Sequence, residues 1–262
     1  MNDLDFLILS IGTVFIAAAG YIINDIIDLP IDLINKPQKV IIQKQLSTST
    51  AWKTYSTLNL IALGIGIYLT SSILLGIFVV TILGLALYAL YWKRQVLIGN
   101  IVVALLCALV VVEVWILDIE NLSNNIPLSS NIALQLLIGY TLFAFFTTII
   151  RELIKDIEDI EGDRLQNCRT APIVWGIPKS KILLIVLGIT LLIGLSIALY
   201  AWQSFLALTL LILFNILIIL PLLAILTLLS LAKSTIQYAK LSKFVKIYMG
   251  LGLVWLALLL LN

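Results

Sequence analysis

Six aspartates stand out for where they lie and how they are spaced. Asp25, Asp28 and Asp32, with Asn24 just before them, follow directly on the apolar run Phe6 to Ile23. Asp156, Asp159 and Asp163 repeat the i, i+3, i+7 spacing at the end of another apolar segment. At roughly 100° per residue, steps of three and seven return to within about 60° and 20° of the starting direction, so each trio can face one way from its helix. Carboxylates gathered this closely repel by up to about 4 kcal/mol per pair at 4 Å and an effective dielectric near 20, so a cation must be close by. The chain has no His, which removes the commonest general base and zinc ligand. Hard oxygen donors suit Mg²⁺, which takes one or two carboxylates plus substrate phosphates. Two such sites facing each other across a cavity would clamp a diphosphate. The blander alternative is that acidic helix ends merely meet cytoplasmic water; it suits Glu158 and Glu161 better than the recurring aspartates.

The elements that carry these residues are membrane helices. The chain is 62% hydrophobic and 11% charged, with a mean hydropathy of +1.16, where a soluble domain carries about 25% charged residues. Runs long enough to span a bilayer cover 6–28, 51–70, 72–92, 96–117, 131–151, 181–201, 204–231 and 243–261, giving eight helices. Pro30 and Gly162 predict that the motif-bearing helices fray or turn before their third aspartate, placing Asp32 and Asp163 at the start of loops. With no linker separating the halves, residues 1–262 read as one domain.

Orientation follows from the basic residues, which collect in short cytoplasmic connections. With the N-terminus outside, the connections 29–50, 93–95, 152–180 and 232–242 are internal, and every Lys and Arg falls in them or at a bordering helix end. The outer connections, Thr70 to Ser72, Asp118 to Asn131 and Trp202 to Ser204, have none. Both acidic clusters are therefore expected on the cytoplasmic side. A net charge of +2 without a basic, aromatic-interleaved stripe argues against nucleic acid.

Other residues admit two readings. Tyr88, Tyr91, Trp92, Lys93 and Arg94 suit an interfacial anchoring belt, and the last two also suit a bound anion. Phe143, Phe145 and Phe146 line a tunnel or are plain packing. Glu113, within two turns of Asp118, is expected to reach the interface and to have no role. The loop from Asn35 to Thr50 could fold over the site as a cap, and Pro221 predicts a kink.

The stretches Asn24-Asp25-x-x-Asp28-x-x-x-Asp32 with Asn35-Lys36-Pro37, and Lys155-Asp156-x-x-Asp159-x-x-Gly162-Asp163, resemble the paired motifs of the UbiA superfamily of intramembrane prenyltransferases. The resemblance implies an all-α, polytopic transmembrane bundle around a central cavity with a cytoplasmic cap. The family usually has nine helices, and the one before the first motif is not found in this sequence. It implies a multi-pass protein of the inner membrane, its active site facing the cytoplasm, that uses Mg²⁺ to transfer a prenyl group from a prenyl diphosphate. Within the superfamily, Lys93-Arg94, Leu97-Ile98-Gly99-Asn100 and Arg169-Thr170 favour a glycerol-phosphate-type lipid acceptor and an ether product, with an aromatic acid on the way to a quinone as the alternative. Carried onto this chain, Asn24, Asp28 and Asp32 hold one Mg²⁺ with Asp25 in support, and Asp156, Asp159 and Asp163 hold the other. Asp28, Asp156 and Lys155 are the catalytic candidates. Lys36, Tyr88, Lys93, Arg94, Asn100, Arg151 and Arg169 are candidates for binding substrate. Membrane lipids are expected partners and a protein partner is not. A cation transporter is the reading from another class; transporter ion sites usually lie near the bilayer midplane at broken helices, whereas these carboxylates sit at one face.

Overall fold

A computed structural model describes residues 3–35, 38, 40–117, 132–165 and 167–260. The fold is all-α, as expected. Its main helices are α1 (Asp3–Asn35), α2 (Thr48–Tyr68), α3 (Ser72–Leu90), α4 (Ile98–Leu117) and α5 (Ile132–Glu158), followed by the short α6 (Ile160–Leu165) and α7 (Ala171–Val174). Then come α8 (Ile177–Trp202), α9 (Leu208–Phe214), a π-helical segment (Asn215–Ile219), α10 (Leu220–Leu231) and α11 (Thr235–Leu260). Among the described residues, seven helical stretches are long and apolar enough to cross a membrane. The eighth expected span, α2, is long enough but is diluted by Lys53, Asn59 and a hydroxyl-rich first turn. Leu60, Ile67, Leu83, Ile182, Ile197 and Leu253 are all largely exposed, the inversion expected where lipid rather than water is the solvent.

The chain divides into two compact units: Met1–Arg94 with Leu105–Thr141, and Gln95–Ala104 with Leu142–Asn262. In the first, α1 packs on α2 and α3. An added Cβ at Gly12 would lie 2.9 Å from the ring of Phe78, so a small residue is what lets these helices approach, as at many membrane interfaces. The core there is Leu9, Ile16, Ala62, Leu74 and Phe78. Glu113 is buried, 2% exposed, and accepts a 2.9 Å hydrogen bond from the Thr13 hydroxyl of α1. A carboxyl in a span must find a donor on a neighbouring helix, and Thr13 is the donor that α1 offers. The loop before α2 is anchored by Val40 and Ile42, which pack with Ile26, Leu29 and Ala51. It enters α2 through Ser47, whose side chain caps the Thr50 N–H.

In the second unit, Phe143 is buried, meets Tyr248 edge-on with ring centroids 5.3 Å apart, and lies where a Cβ on Gly252 would clash. Of the two readings of that aromatic run, packing is therefore the one Phe143 follows. Trp202 and Trp255 stack at 6.1 Å, with Phe214 edge-on to both. Pro221 has no N–H to donate and its ring crowds the preceding turn. The chain answers with the π segment just before it, closed by a bond from the Leu220 N–H to the Asn215 carbonyl.

Candidate functional site

The first acidic cluster lies within one uninterrupted helix. Pro30 does not end α1, which continues through Asp32 to Asn35. A proline costs the helix one hydrogen bond and some local bending, and here the packing of Leu29 and Ile26 against the following loop holds the helix together. Asn24 and Asp28, four residues apart, share a face, and the Asn24 Nδ2 donates to Asp28 Oδ2 at 3.0 Å. Asp25, one residue round the helix, is exposed, and Asp32 is half-buried.

The cation demanded by this cluster comes from another element. After α3 the backbone breaks at Tyr91, makes the 3₁₀ turn Trp92–Arg94, and passes through a left-handed Leu97 before α4 begins. That turn aims Lys93 at α1: its ammonium donates to the Asn24 Oδ1 at 3.3 Å and forms a salt bridge with the Asp28 Oδ1. Arg94, next in the turn, has its Nε buried without a hydrogen-bond partner. Tyr88 is half-buried in the last turn of α3.

The second cluster is also more helical than expected. Gly162 lies inside α6, and the break with α5 falls at Asp159. Even there the i→i−4 pattern persists, with bonds from Asp159 N to Lys155 O at 2.9 Å and from Asp163 N to Asp159 O at 3.0 Å. Asp163 thus rides with Asp156 and Asp159 on a nearly continuous helical path rather than at the start of a loop. Asp156 accepts a 2.9 Å hydrogen bond from the Asn100 amide, in the first turn of α4. Asn100 is 8% exposed, and this bond holds its amide against the carboxylate.

Arg151 is paired along its own helix with Glu152 at 2.5 Å, and Glu152 is buried. Glu152 escaped the sequence reading, although a carboxylate beside Arg151 at the end of a span was a signal for it. Lys155 and Arg169 are exposed. Lys36 lies outside the described residues. Among the described residues, no three His, Cys, Asp or Glu side chains gather closely enough to enclose an ion by themselves. The donors nevertheless fit a hard cation: at the first cluster an amide oxygen and a carboxylate oxygen already converge on one positive charge, the mixture that Mg²⁺ accepts when phosphates complete its shell.

An all-helical membrane fold carrying two Asp-rich helix ends defines a class of intramembrane enzymes, and the chain belongs to the UbiA prenyltransferase family, whose model matches residues 2–244. Among curated relatives, it is 39% identical to the digeranylgeranylglyceryl phosphate synthase of Saccharolobus solfataricus over 66% of this chain and 58% of that one. It is 32% identical to the enzyme of the same name from Methanosphaera stadtmanae over 94% of this chain and 84% of that one. The first of these alignments thus spans less than two thirds of the relative's length. A structure solved in work on digeranylgeranylglyceryl phosphate synthase in membranes superposes with a TM-score of 0.72 and 27% identity, covering 97% of this chain and 85% of that one. A UbiA homolog from Archaeoglobus fulgidus bound to DMAPP and Mg²⁺ shares the fold, with a TM-score of 0.64 at 14% identity, covering 97% and 88%.

Proposed function

We propose that this chain is a Mg²⁺-dependent prenyltransferase of the inner membrane, its acidic helix ends facing the cytoplasm. It moves a geranylgeranyl group from the diphosphate to a hydroxyl of a glycerol-phosphate-type lipid and forms an ether bond. The observation that carries this reading is the identity, extending over nearly the whole chain, to a relative named digeranylgeranylglyceryl phosphate synthase. That a UbiA homolog from Archaeoglobus fulgidus is bound to both DMAPP and Mg²⁺ supports the choice of metal.

Asn24, Asp28 and Asp32, with Asp25 alongside, are the residues to hold one ion, and Asp156, Asp159 and Asp163 the residues to hold another. Bound there, Mg²⁺ supplies Lewis-acid stabilisation of the negative charge that develops on the departing diphosphate. The remaining work belongs to the chain. Lys93 and Arg94 present cations from one short turn, and the partnerless Nε of Arg94 is a donor waiting for an acceptor. Lys36, Tyr88, Lys155, Arg151 and Arg169 are the further candidates for the diphosphate or the acceptor phosphate. Asn100 fixes the direction in which Asp156 presents its second oxygen. When the C1–O bond breaks, its electron pair leaves with the diphosphate. The acceptor oxygen then bonds to C1 and gives up its proton to a carboxylate of the acidic clusters or to the departing diphosphate. The predominantly apolar spans keep water from capturing the allylic carbon first.

The test is purified protein in detergent or liposomes with geranylgeranyl diphosphate, offered either a geranylgeranylglycerol phosphate or an aromatic hydroxy-acid. Mass spectrometry should find the ether lipid with the first acceptor, dependent on Mg²⁺ and lost with EDTA. Prenylation of the aromatic acid alone would replace this reading with the quinone one, and diphosphate left intact with both acceptors would overturn the transferase.

A further inference from the structure

We propose that Lys93 is a tethered counter-cation: in the metal-free protein its ammonium occupies the Asn24–Asp28 oxygens that a divalent ion takes over, and the diphosphate then receives the displaced ammonium. The inference rests on the prenyltransferase reading for the identity of the anion, and on geometry alone for the exchange.

Three features carry it. First, the ammonium sits where an ion would, between the Asn24 Oδ1 at 3.3 Å and the Asp28 Oδ1. Both are hard oxygens, and a lysine head is a compact point charge that a small ion can replace, unlike the broad fork of an arginine. Second, the acceptors are set in advance. The Asn24 amide donates to the other oxygen of Asp28 at 3.0 Å, which turns its own oxygen toward the cation. The same two oxygens can therefore receive an ammonium or a metal without rebuilding, but not both at once. Third, the pair is shielded, with side chains only 15% and 20% exposed, so salt screens it less than a surface pair. Lys93 belongs to a three-residue turn, so its head can move while its backbone stays anchored. Asp25 and Asp32 lie on the same helix, so a divalent ion meets a cluster more acidic than one lysine can neutralise.

The consequence is coupling. A divalent ion arriving alone must evict Lys93 and leave it unpaired, whereas an ion arriving with diphosphate gives the evicted ammonium an anion. Metal and diphosphate then strengthen each other's binding by the same factor. The protein would thus hold its first metal weakly until the substrate anion is present.

Mn²⁺ titration of the full chain in detergent, followed by electron paramagnetic resonance with no prenyl donor or acceptor, tests this. Lys93→Met should bind Mn²⁺ about tenfold more tightly than the parent, the value of one charge-assisted hydrogen bond. Lys93→Gln should move the same way, and Lys179→Met, which removes an exposed lysine of α8, should stay within about twofold. Inorganic pyrophosphate should tighten Mn²⁺ binding to the parent more than to Lys93→Met. Metal-free Lys93→Met should melt below the parent and be raised further by Mn²⁺, which also reports that the variant is folded. Equal or weaker Mn²⁺ binding in both Lys93 variants, or none in any protein, overturns the proposal. None of these readouts requires transfer, so a positive shift with the prenyl diphosphate left intact beside both acceptors would overturn the prenyltransferase reading and leave the exchange standing.

Discussion

The two acidic helix ends share a spacing of aspartates and differ in how each is held. At the end of α1, Asp28 is neutralised by a cation from a different element, the Lys93 ammonium, with the Asn24 amide alongside. At the end of α5, Asp156 is met by a neutral amide, Asn100 of α4. An amide orients a carboxylate but cancels none of its charge, whereas an ammonium does both. The first end therefore has its charge balanced from another element, and the second has a carboxylate held in a fixed direction without a balancing charge in that contact. Equal spacing in sequence does not mean equal electrostatics.

The sharpest way to break this comparison is to remove the carboxylates themselves. Asp28→Ala and Asp156→Ala should each lower prenyl transfer by about 10²–10³-fold, the usual cost of losing a group that stabilises developing charge. Asp28→Ala should in addition abolish the effect of Lys93→Met on Mn²⁺ binding. If one aspartate is dispensable for transfer, the two ends are not equivalent parts of one machine. A smaller effect separates orientation from charge. Asn100→Leu should cost about 10–100-fold in transfer at low Mg²⁺, recovering in part as Mg²⁺ is raised, as expected for a residue that acts through a ligand. The Mn²⁺ titration of Lys93→Met against the parent should be unchanged by it, and a change would mean that Asn100 also serves the first end. The smallest effect lies away from both ends: Thr13→Val takes the donor from buried Glu113. It should lower stability in detergent by about 0.6–1.7 kcal/mol, the range for hydrogen bonds between membrane helices, while transfer stays within about twofold. A loss of transfer larger than the loss of folded protein would give Glu113 a part in function.

Much of the site was legible in the chain because its signals are local. Aspartates at the ends of apolar runs and basic residues confined to alternate connections follow from the cost of charge in a bilayer, which a sequence displays directly. Breaks in helices were read less well. Pro30 and Gly162 predicted loop starts at Asp32 and Asp163, yet helical hydrogen bonding runs past both, because tertiary packing outweighs a propensity of a few kcal/mol. Pro221, by contrast, left its mark as the π segment before it.

Composition and spacing by themselves determined that this chain is built of membrane-spanning helices and that two acidic trios stand at the ends of apolar runs. What only the folded chain decided is which partner each charge received: Lys93 for Asp28, Asn100 for Asp156, Glu152 for Arg151 and Thr13 for Glu113. Most of these pairings join residues from 56 to 100 positions apart in the chain, and Arg151 with Glu152 are chain neighbours. Periodicity can place a side chain on a face of its own helix, but the identity of the group across from it depends on how helices pack. That choice is made by close fit, such as Gly12 against Phe78, and leaves no local trace in sequence.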